Sequence, residues 1–224
     1  MATSQQPKER PILFSAPMVR AILEGRKTVT RRPVTKRAAL DCLAAGFEPS
    51  FLALPGNADL CPYGKPGDRL WVRESWWQAG DWQATYPEDD TGAWFGSKRV
   101  VYSADGAPPD EPNTSYPNGL RNGAYSAAAP NKIWRHRPSI HMNRWACRIL
   151  LEITAVRVER LQDISRADIR AEGLQCPPEL ASDDVSPNYR DWYPAAWREL
   201  WESTAGNWDA NPWVWVVEFK QVTP

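Results

Sequence analysis

The chain has 224 residues, of which 42% are hydrophobic and 24% are charged, as is usual for a folded domain with a substantial core. Its 27 basic and 27 acidic residues cancel. This balance excludes a polyanion partner attracted by the field of the whole molecule, so any contact with nucleic acid must come from a local patch. No run of apolar residues approaches the roughly 18 that a membrane span requires, so we expect no membrane association.

The first elements in chain order are an arm, a strand and a helix. Residues 1–10 are polar and are predicted to form a flexible arm. The segment PILFSA predicts a short strand that leads into a helix, which Ser15 caps and Gly25 ends. The remainder, 11–224, is predicted to be a single domain.

Two regions of the chain lack a clear periodic pattern and are rich in turn-forming residues. They lie at about 34–66 and 78–138. Structureless connections of this length are uncommon inside compact domains and are often functional. We therefore interpret both regions as irregular loop insertions into the domain.

Four later segments combine Val, Ile and Trp with partial alternation of polar and apolar residues, which is typical of strands. They are residues 68–77, 97–105, 145–161 and 212–222. One helix is predicted to be capped by Ser165 and to end at Gly173, and another to start at Pro194 and end at Gly206. Several strands separated by short helices predict an α+β protein built on a small barrel or curled sheet.

Motifs that would indicate a cofactor are missing. The sequence has no P-loop, dinucleotide fingerprint, H-E-x-x-H or G-x-S-x-G. Its four cysteines show no C-x-x-C spacing and no signal-like stretch follows Met1, which indicates a cytoplasmic protein with reduced thiols. The two histidines are His136 and His141, and His141 with Cys147 is at most half of a metal site. We therefore expect neither a metal ion nor an organic cofactor.

The segment ILEGRKTVTRRP, residues 22–33, concentrates basic and hydroxyl side chains just after the predicted helix. Lys27 and Thr30 would point to opposite faces of a regular strand, so they converge only if Lys27 still lies in the turn that follows Gly25. The alternative is that Lys27 is a solvated cation near the end of a helix. Three neighbouring arginines are then surface charges: Arg26, Arg31 and Arg32.

The stretch EGRKTVTRR resembles the G-x-K-x-x-(polar)-x-R signature of the ASCH domain family. Three further segments resemble other blocks of the larger phage and prophage-type members, in the same order: PGDRLWVRESW, RWACRILLEITAVRVERLQDISRADIRAEGL and NPWVWVVEFK. The resemblance implies a PUA-like small β-barrel with short flanking helices and long loop insertions. It also implies an association with RNA, in a bacterial or phage-infected host cell.

One branch of this family, the bacterial N(4)-acetylcytidine amidohydrolase, is similar around the same stretch and uses a lysine, a threonine and a glutamate. Matched residue by residue, the resemblance implies Lys27, Thr30 and Glu172 as the catalytic residues. Amide hydrolysis needs a nucleophile, a base for its proton and an acid for the departing nitrogen. Thr30 would attack, Lys27 would accept its proton, and Glu172 would protonate the leaving amine or orient Lys27.

The arginines around Lys27 fit this chemistry in two ways. Adjacent cations and burial lower the pKa of a lysine towards neutral pH, and the same positive charges attract a phosphate group. We therefore expect three arginines to contribute to substrate binding: Arg26, Arg31 and Arg32.

A second group of residues is predicted to complete the binding pocket. Glu74 lies on a predicted strand beside Trp76, where a carboxylate could read a base edge while an indole stacks on the base. The alternative is a surface ion pair of Glu74 with an arginine such as Arg73, above a buried tryptophan. Four more residues are assigned to the same wall: Tyr102, His141, Arg144 and Trp145.

These observations predict a monomer that binds a modified nucleoside or single-stranded RNA. The leading hypothesis is an amidohydrolase that acts on N(4)-acetylcytidine or a related acylated nucleoside. Two alternatives remain open: a non-catalytic RNA-binding module that uses the same cationic pocket, and a ribonuclease. A structural role in phage assembly would instead require a large exposed apolar patch or a stable oligomer.

Overall fold

The computed structural model describes residues 6–86, 91–111, 133–177, 189–204 and 206–223, with the backbone alone at 81–86, 91–93 and 189–191. The strands are β1 (Glu9–Leu13), β2 (Val29–Pro33), β3 (Arg69–Arg73), β4 (Trp76–Tyr86), β5 (Thr91–Tyr102), β6 (Trp134–Arg137), β7 (Leu150–Arg160) and β8 (Trp213–Val222). The α-helices are α1 (Ala16–Leu23), α2 (Arg37–Ala44), α3 (Pro49–Leu52), α4 (Arg166–Ala171) and α5 (Tyr189–Thr204). Short 3₁₀ turns connect several of these elements.

The chain divides into two compact units. The first unit comprises Met1–Ile12, Ala21–Val72 and Ile149–Pro224, and the second comprises Leu13–Arg20 and Arg73–Arg148. With two sheets and few helices, the α+β class predicted from the sequence is confirmed. In the described residues neither sheet closes into a barrel, so the PUA-like barrel stays a prediction. None of the described helices has the length and apolar character of a membrane span.

The larger sheet has the strand order β1-β3-β7-β8-β2. Its strand β8 lies between β7 and β2 and runs antiparallel to both. Val214, Trp215, Val216 and Val217 of β8 are all 0% exposed. A strand covered on both faces needs a continuous apolar run rather than an alternating one, which is why β8 carries the sequence WVWVV.

Helices α4 and α5 contribute to the core of the first unit. The core residues come from β2, β8, both helices, the turn after β7 and the segment after α4: Val29, Leu161, Ile169, Cys176, Tyr193, Trp197, Trp201, Val214 and Val216. The indoles of Trp197 and Trp201 lie one helical turn apart, with ring centroids separated by 6.0 Å. The aromatic residues of α5 therefore supply much of the surface that this unit buries.

The starts of α4 and α5 can be compared with the starts predicted from the sequence. Ser165 caps α4 as predicted, because its hydroxyl accepts a hydrogen bond from the Asp168 amide at 3.1 Å. The predicted start of the last helix at Pro194 is wrong, since α5 already begins at Tyr189 and contains this proline. A proline removes one backbone hydrogen bond from a helix, and burial of Tyr193 and Trp197 on either side favours the longer helix.

The smaller sheet has the strand order β5-β4-β6 and belongs to the second unit. The antiparallel pair β4–β5 occupies much of the region 78–102, where an irregular insertion was expected. Glycine and alanine interrupt the strand pattern there, which explains why the sequence did not indicate a sheet. Trp76 packs with Met142 and Ala146 in a small core of its own.

Two other regions also differ from their expected irregular character. Residues 37–44 and 49–52, inside the expected insertion at 34–66, form α2 and α3. In the expected N-terminal arm, Arg10 already belongs to β1. Its guanidinium donates to Asp68 at 2.8 Å, and the Lys8 amide donates to the same carboxylate at 3.1 Å. These contacts join residues about 60 positions apart, which a local pattern cannot indicate.

Leu161 provides a test of the first unit's core, because it is 0% exposed. Leu161→Ala should lower the free energy of unfolding by about 2–5 kcal/mol, the usual cost of a buried cavity of this size. Leu54, which is 50% exposed, offers the matched control, and Leu54→Ala should leave stability nearly unchanged. Urea unfolding followed by circular dichroism measures both. Equal losses in the two variants would contradict the described core.

Candidate functional site

The turn after α1 removes Lys27 from any regular strand. Gly25 has a φ of +73°, a left-handed conformation that glycine adopts without strain. The amides of Arg26 and Lys27 both donate to the Ala21 carbonyl at 2.9 Å, so the chain is still turning at Lys27. Strand β2 begins only at Val29. Lys27 therefore occupies the turn, as the sequence predicted.

The end of α4 lies beside this turn. Lys27 and Glu172 form an isolated antiparallel bridge, and the Thr28 amide donates to the Ala171 carbonyl at 2.8 Å. Gly173 follows with a φ of +93°. A Cβ atom there would lie 3.0 Å from the Cβ of Lys27, closer than a methyl group tolerates, so glycine allows the two segments to approach.

The Lys27 amine is enclosed by protein oxygens. It donates to the Val29 carbonyl at 2.8 Å, to the Glu172 carbonyl at 3.0 Å and to Oε2 of Glu172 at 2.5 Å. Lys27 is only 2% exposed and Glu172 only 4%. These three acceptors match the three protons of an ammonium group. The alternative of a solvated surface lysine is therefore wrong.

Arg31 holds the other oxygen of the same carboxylate. Its Nη1 donates to Oε1 of Glu172 at 3.3 Å, and its Nη2 donates to Glu159 at 2.6 Å and to Asp168 at 2.8 Å. Arg31 is 4% exposed, so it is not a surface charge. With its donors on three carboxylates, Arg31 positions Glu172, whereas the sequence predicted that it would bind substrate.

The charge network continues beyond Arg31. Arg157 donates to Asp168 at 2.8 Å and to Glu159 at 3.2 Å, and it also forms an ion pair with Glu218. This network joins β2, β7 and β8 to α4. Because charges removed from water need partners, the network fixes the Glu172 carboxylate relative to the sheet.

Burial changes the acid–base properties of this site. It lowers the pKa of Lys27 below the usual value, and the positive charges of Arg32 and Arg31 act in the same direction, while Glu172 opposes them. Burial also lowers the pKa of Arg32 and raises the pKa of Tyr63, which interacts electrostatically with Arg32. Tyr63 was not identified from the sequence, where no motif distinguishes it.

Thr30 lies on β2 directly opposite Val217 of β8 and is 3% exposed. Side chains alternate along a strand, so Thr30 shares a sheet face with Arg32, and Arg31 points to the other face. The three oxygens that accept from the Lys27 amine do not include the Thr30 hydroxyl. The structure thus brings Lys27 and Glu172 into direct contact and places Thr30 on the adjoining strand.

Arg26 is more accessible than Arg31. Its guanidinium donates to Glu24 at 2.7 Å and to the Gly173 carbonyl at 2.6 Å, and its side chain is 35% exposed. Arg26 therefore holds Gly173, the residue after Glu172, in position. Its contacts are with protein groups, and its exposed part is available to a ligand.

The predicted second wall belongs to the second unit. Glu74 accepts two hydrogen bonds from Arg148, at 2.9 and 3.0 Å, and burial raises the pKa of Glu74. Trp76 is 1% exposed and meets the edge of Trp145 at 5.6 Å. The ion pair and the buried tryptophan agree with the alternative, but the pair is formed with Arg148 and Glu74 is only 2% exposed, so it is not a surface pair. The Trp76 indole packs against protein and offers no open face to a base.

The other residues of this wall divide into anchored and exposed ones. The Tyr102 hydroxyl donates to the Ala146 carbonyl at 2.9 Å, and its ring lies 3.9 Å below the Arg148 guanidinium. His141, Arg144 and Trp145 are exposed, and Trp145 keeps 45% of its surface accessible. Tyr102 therefore has a packing role, while the three exposed side chains can meet a ligand.

A cavity of about 450 Å³ lies elsewhere in the first unit. Charged residues of its lining are Lys8, Arg10, Asp59, Lys65 and Asp68. Lys27, Thr30 and Glu172 do not line it. Within the described ranges, no group of three or more His, Cys, Asp or Glu side chains is arranged to hold a metal ion.

Comparisons with known proteins add no relative to this picture. No protein-family model matches the chain, and no curated protein or solved structure matches it.

The pKa of Lys27 has a consequence for stability. Because its folded-state pKa lies below the usual lysine value of 10.5, unfolding takes up a proton at pH values between the two, and the free energy of unfolding rises with pH there. Lys27→Met should remove this rise. Urea unfolding of both proteins from about pH 7 up to the usual lysine value of 10.5 measures the difference. Parallel curves for the two proteins would contradict a lowered pKa.

The carboxylate of Glu172 should be strongly stabilising in its present surroundings. Glu172→Leu leaves two buried cations without this partner and should cost about 3–5 kcal/mol. Adding Lys27→Met should restore part of the loss, because one unpaired charge then disappears. Glu24, whose side chain is 53% exposed, provides the control variant Glu24→Gln. Strictly additive effects of the two buried substitutions would show that their contact contributes nothing.

Proposed function

We propose that the chain is an ASCH-type amidohydrolase that deacylates N(4)-acetylcytidine or a related acylated nucleoside at Lys27, Thr30 and Glu172. We also propose that its first unit corresponds to the PUA-like barrel of that family. The observation that supports the activity best is the burial of the Lys27 amine against Glu172, with a lowered pKa. A base that accepts a hydroxyl proton must be neutral near the working pH, and burial favours the neutral amine.

In the proposed reaction the neutral Lys27 amine accepts the proton of the Thr30 hydroxyl while Oγ1 attacks the acyl carbon. The tetrahedral intermediate collapses, the bond to N4 breaks, and the Lys27 ammonium returns the proton to N4. Cytidine leaves, and the acyl group remains on Thr30 as an ester. Water activated by the same amine then hydrolyses the ester and releases the carboxylic acid, which regenerates Thr30.

Glu172 orients Lys27 in this scheme. Its two carboxylate oxygens accept from Lys27 at 2.5 Å and from Arg31 at 3.3 Å, so both are engaged by protein donors. Of the two roles expected for Glu172, orienting the amine therefore fits its contacts better than protonating the leaving group. Arg31 is a positioning residue that acts through Glu172.

A second candidate function is nucleoside or RNA binding without turnover. It is favoured by the three protein oxygens that already accept from the Lys27 amine, because the amine must give up one of them to approach a hydroxyl. In that case the buried charges hold α4 to the edge of the sheet and perform no chemistry.

Turnover of N(4)-acetylcytidine distinguishes the two functions. Release of cytidine, followed by chromatography, should occur with the wild-type protein and fall by about 100-fold or more in Lys27→Met, because a positioned base contributes about that factor. Thr30→Val, which keeps the shape of the side chain and removes the nucleophile, should also abolish turnover. Arg37→Ala is the control, since the Arg37 side chain is 88% exposed.

Each variant needs a melting curve, because Lys27 is part of the core. Folded Lys27→Met or Thr30→Val protein that still turns over at the wild-type rate would contradict the catalytic assignment. Nucleoside binding by the wild-type protein with no cytidine released would instead support the binding module.

A further inference from the structure

In the smaller sheet, the indole of Trp94 packs directly against the backbone of two glycines, Gly80 and Gly96. Gly80 and Gly96 face each other across β4 and β5. A Cβ atom at Gly80 would lie 2.2 Å from Cζ2 of Trp94, and one at Gly96 would lie 2.7 Å from Cζ3 of the same ring. A side chain at either position would collide with the Trp94 ring. The two glycines therefore leave the space that the indole occupies.

Two arginines lie over this indole. The guanidinium of Arg135 is 4.7 Å from the ring centroid of Trp94 and that of Arg137 is 4.8 Å away. Both come from β6, where they are paired with Gln78 and Trp76 of β4 and therefore share one face of the sheet. The surface formed by Trp94, Arg135 and Arg137 is called the arginine–tryptophan face below.

The charges of this face are not neutralised within the described part of the chain. Neither Arg135 nor Arg137 forms an ion pair with a carboxylate there. The positive charge of Arg137 lowers the pKa of Arg135, in addition to the effect of burial. Arg99 provides a contrast: it lies 4.9 Å from the Trp134 ring, and Glu111 accepts two hydrogen bonds from it at 2.7 and 2.6 Å.

We propose that the arginine–tryptophan face binds single-stranded nucleic acid, with the two guanidinium groups on phosphates or stacked on bases and the Trp94 ring beneath them. Sheets that bind single strands combine cations with flat side chains, because every base has a face that stacks on an aromatic ring or a guanidinium plane. The half-buried Arg135 and Arg137 provide two adjacent positive charges, which complement consecutive phosphates. The residues of this face belong to the second unit, and the proposal does not depend on the proposed hydrolysis.

We assign the ligand to the nucleic acids because the face combines positive charge with planar guanidinium groups, on which bases can stack. An acidic peptide would complement the charge of Arg135 and Arg137 but would leave the outer faces of the guanidinium planes without a stacking partner. A single strand satisfies both features. Affinity should therefore depend on the aromatic ring as well as on ionic strength.

Salt dependence tests the charge. An unstructured RNA of about ten nucleotides, labelled for fluorescence anisotropy, should bind the wild-type protein with an affinity that falls between about 50 and about 200 mM KCl. The double variant Arg135→Ala/Arg137→Ala should lower the slope of log affinity against log salt by about 1.4, the value for two phosphate contacts on a single strand. Arg37→Ala/Arg198→Ala removes the same charge from exposed helical positions and should leave the slope nearly unchanged.

The ring provides the second test. Trp94→Leu should weaken RNA binding by at least about 5-fold, since the ring against which both guanidinium groups stack is lost, whereas Trp94→Phe should retain most of the affinity. Melting curves report whether both variants are folded.

Unchanged affinity in Arg135→Ala/Arg137→Ala would overturn the proposal. So would an equal loss in the Arg37→Ala/Arg198→Ala control, or binding of poly-glutamate as tight as that of RNA. Binding of single-stranded DNA of the same sequence, weakened by the same two substitutions, would support it and show that the 2′-hydroxyl is not needed.

Discussion

The first unit depends on the burial of one ammonium group. An ion the size of the Lys27 amine loses several kcal/mol of hydration when it enters a protein interior, and only close oppositely charged partners recover this loss. Glu172 provides a carboxylate oxygen at 2.5 Å and its own carbonyl at 3.0 Å. The requirement for such close partners explains why α4 ends beside the turn before β2, and why glycine follows at position 173.

The same requirement organises the acidic residues around Arg31. Once Glu172 is buried, its second oxygen also needs a donor, and Arg31 provides it. Arg31 in turn is matched by Glu159 and Asp168. A chain of paired charges therefore extends from the turn after α1 across the sheet. The proposed chemistry uses this rigidity, because a general base must be held in place, and burial lowers the pKa of Lys27 although Glu172 opposes this effect.

Local sequence patterns predicted the features that depend on neighbouring residues. The strands that correspond to β3, β7 and β8, the turn at Gly25 and the cap at Ser165 were all indicated by short signals. The proximity of Lys27 and Glu172 was implied only by a family resemblance, since 145 positions separate them. The carboxylate partners of Arg31 lie 128 to 141 positions away, so its basic character alone suggested a substrate contact.

Features created by tertiary packing were not predictable. Glycine is read from sequence as a break in a strand, whereas Gly80 and Gly96 leave room for the Trp94 indole. The strands at 78–96 were missed for this reason, whereas the predicted strand at 97–105 corresponds to the end of β5. Glu74 was correctly placed beside a buried tryptophan, but its partner Arg148 lies 74 positions along the chain, beyond the reach of any local pattern.

The state of the Lys27 amine is the central claim, and nuclear magnetic resonance measures it directly. The lysine side chains would be labelled with ¹³C at Cε and ¹⁵N at Nζ, the Lys27 signal assigned by its loss in Lys27→Met, and the folded protein titrated with base. We expect a Lys27 titration midpoint clearly below the usual lysine value of 10.5. A Lys27 midpoint at or above 10.5 would contradict this claim, because the amine would then stay charged and serve only as a partner for Glu172.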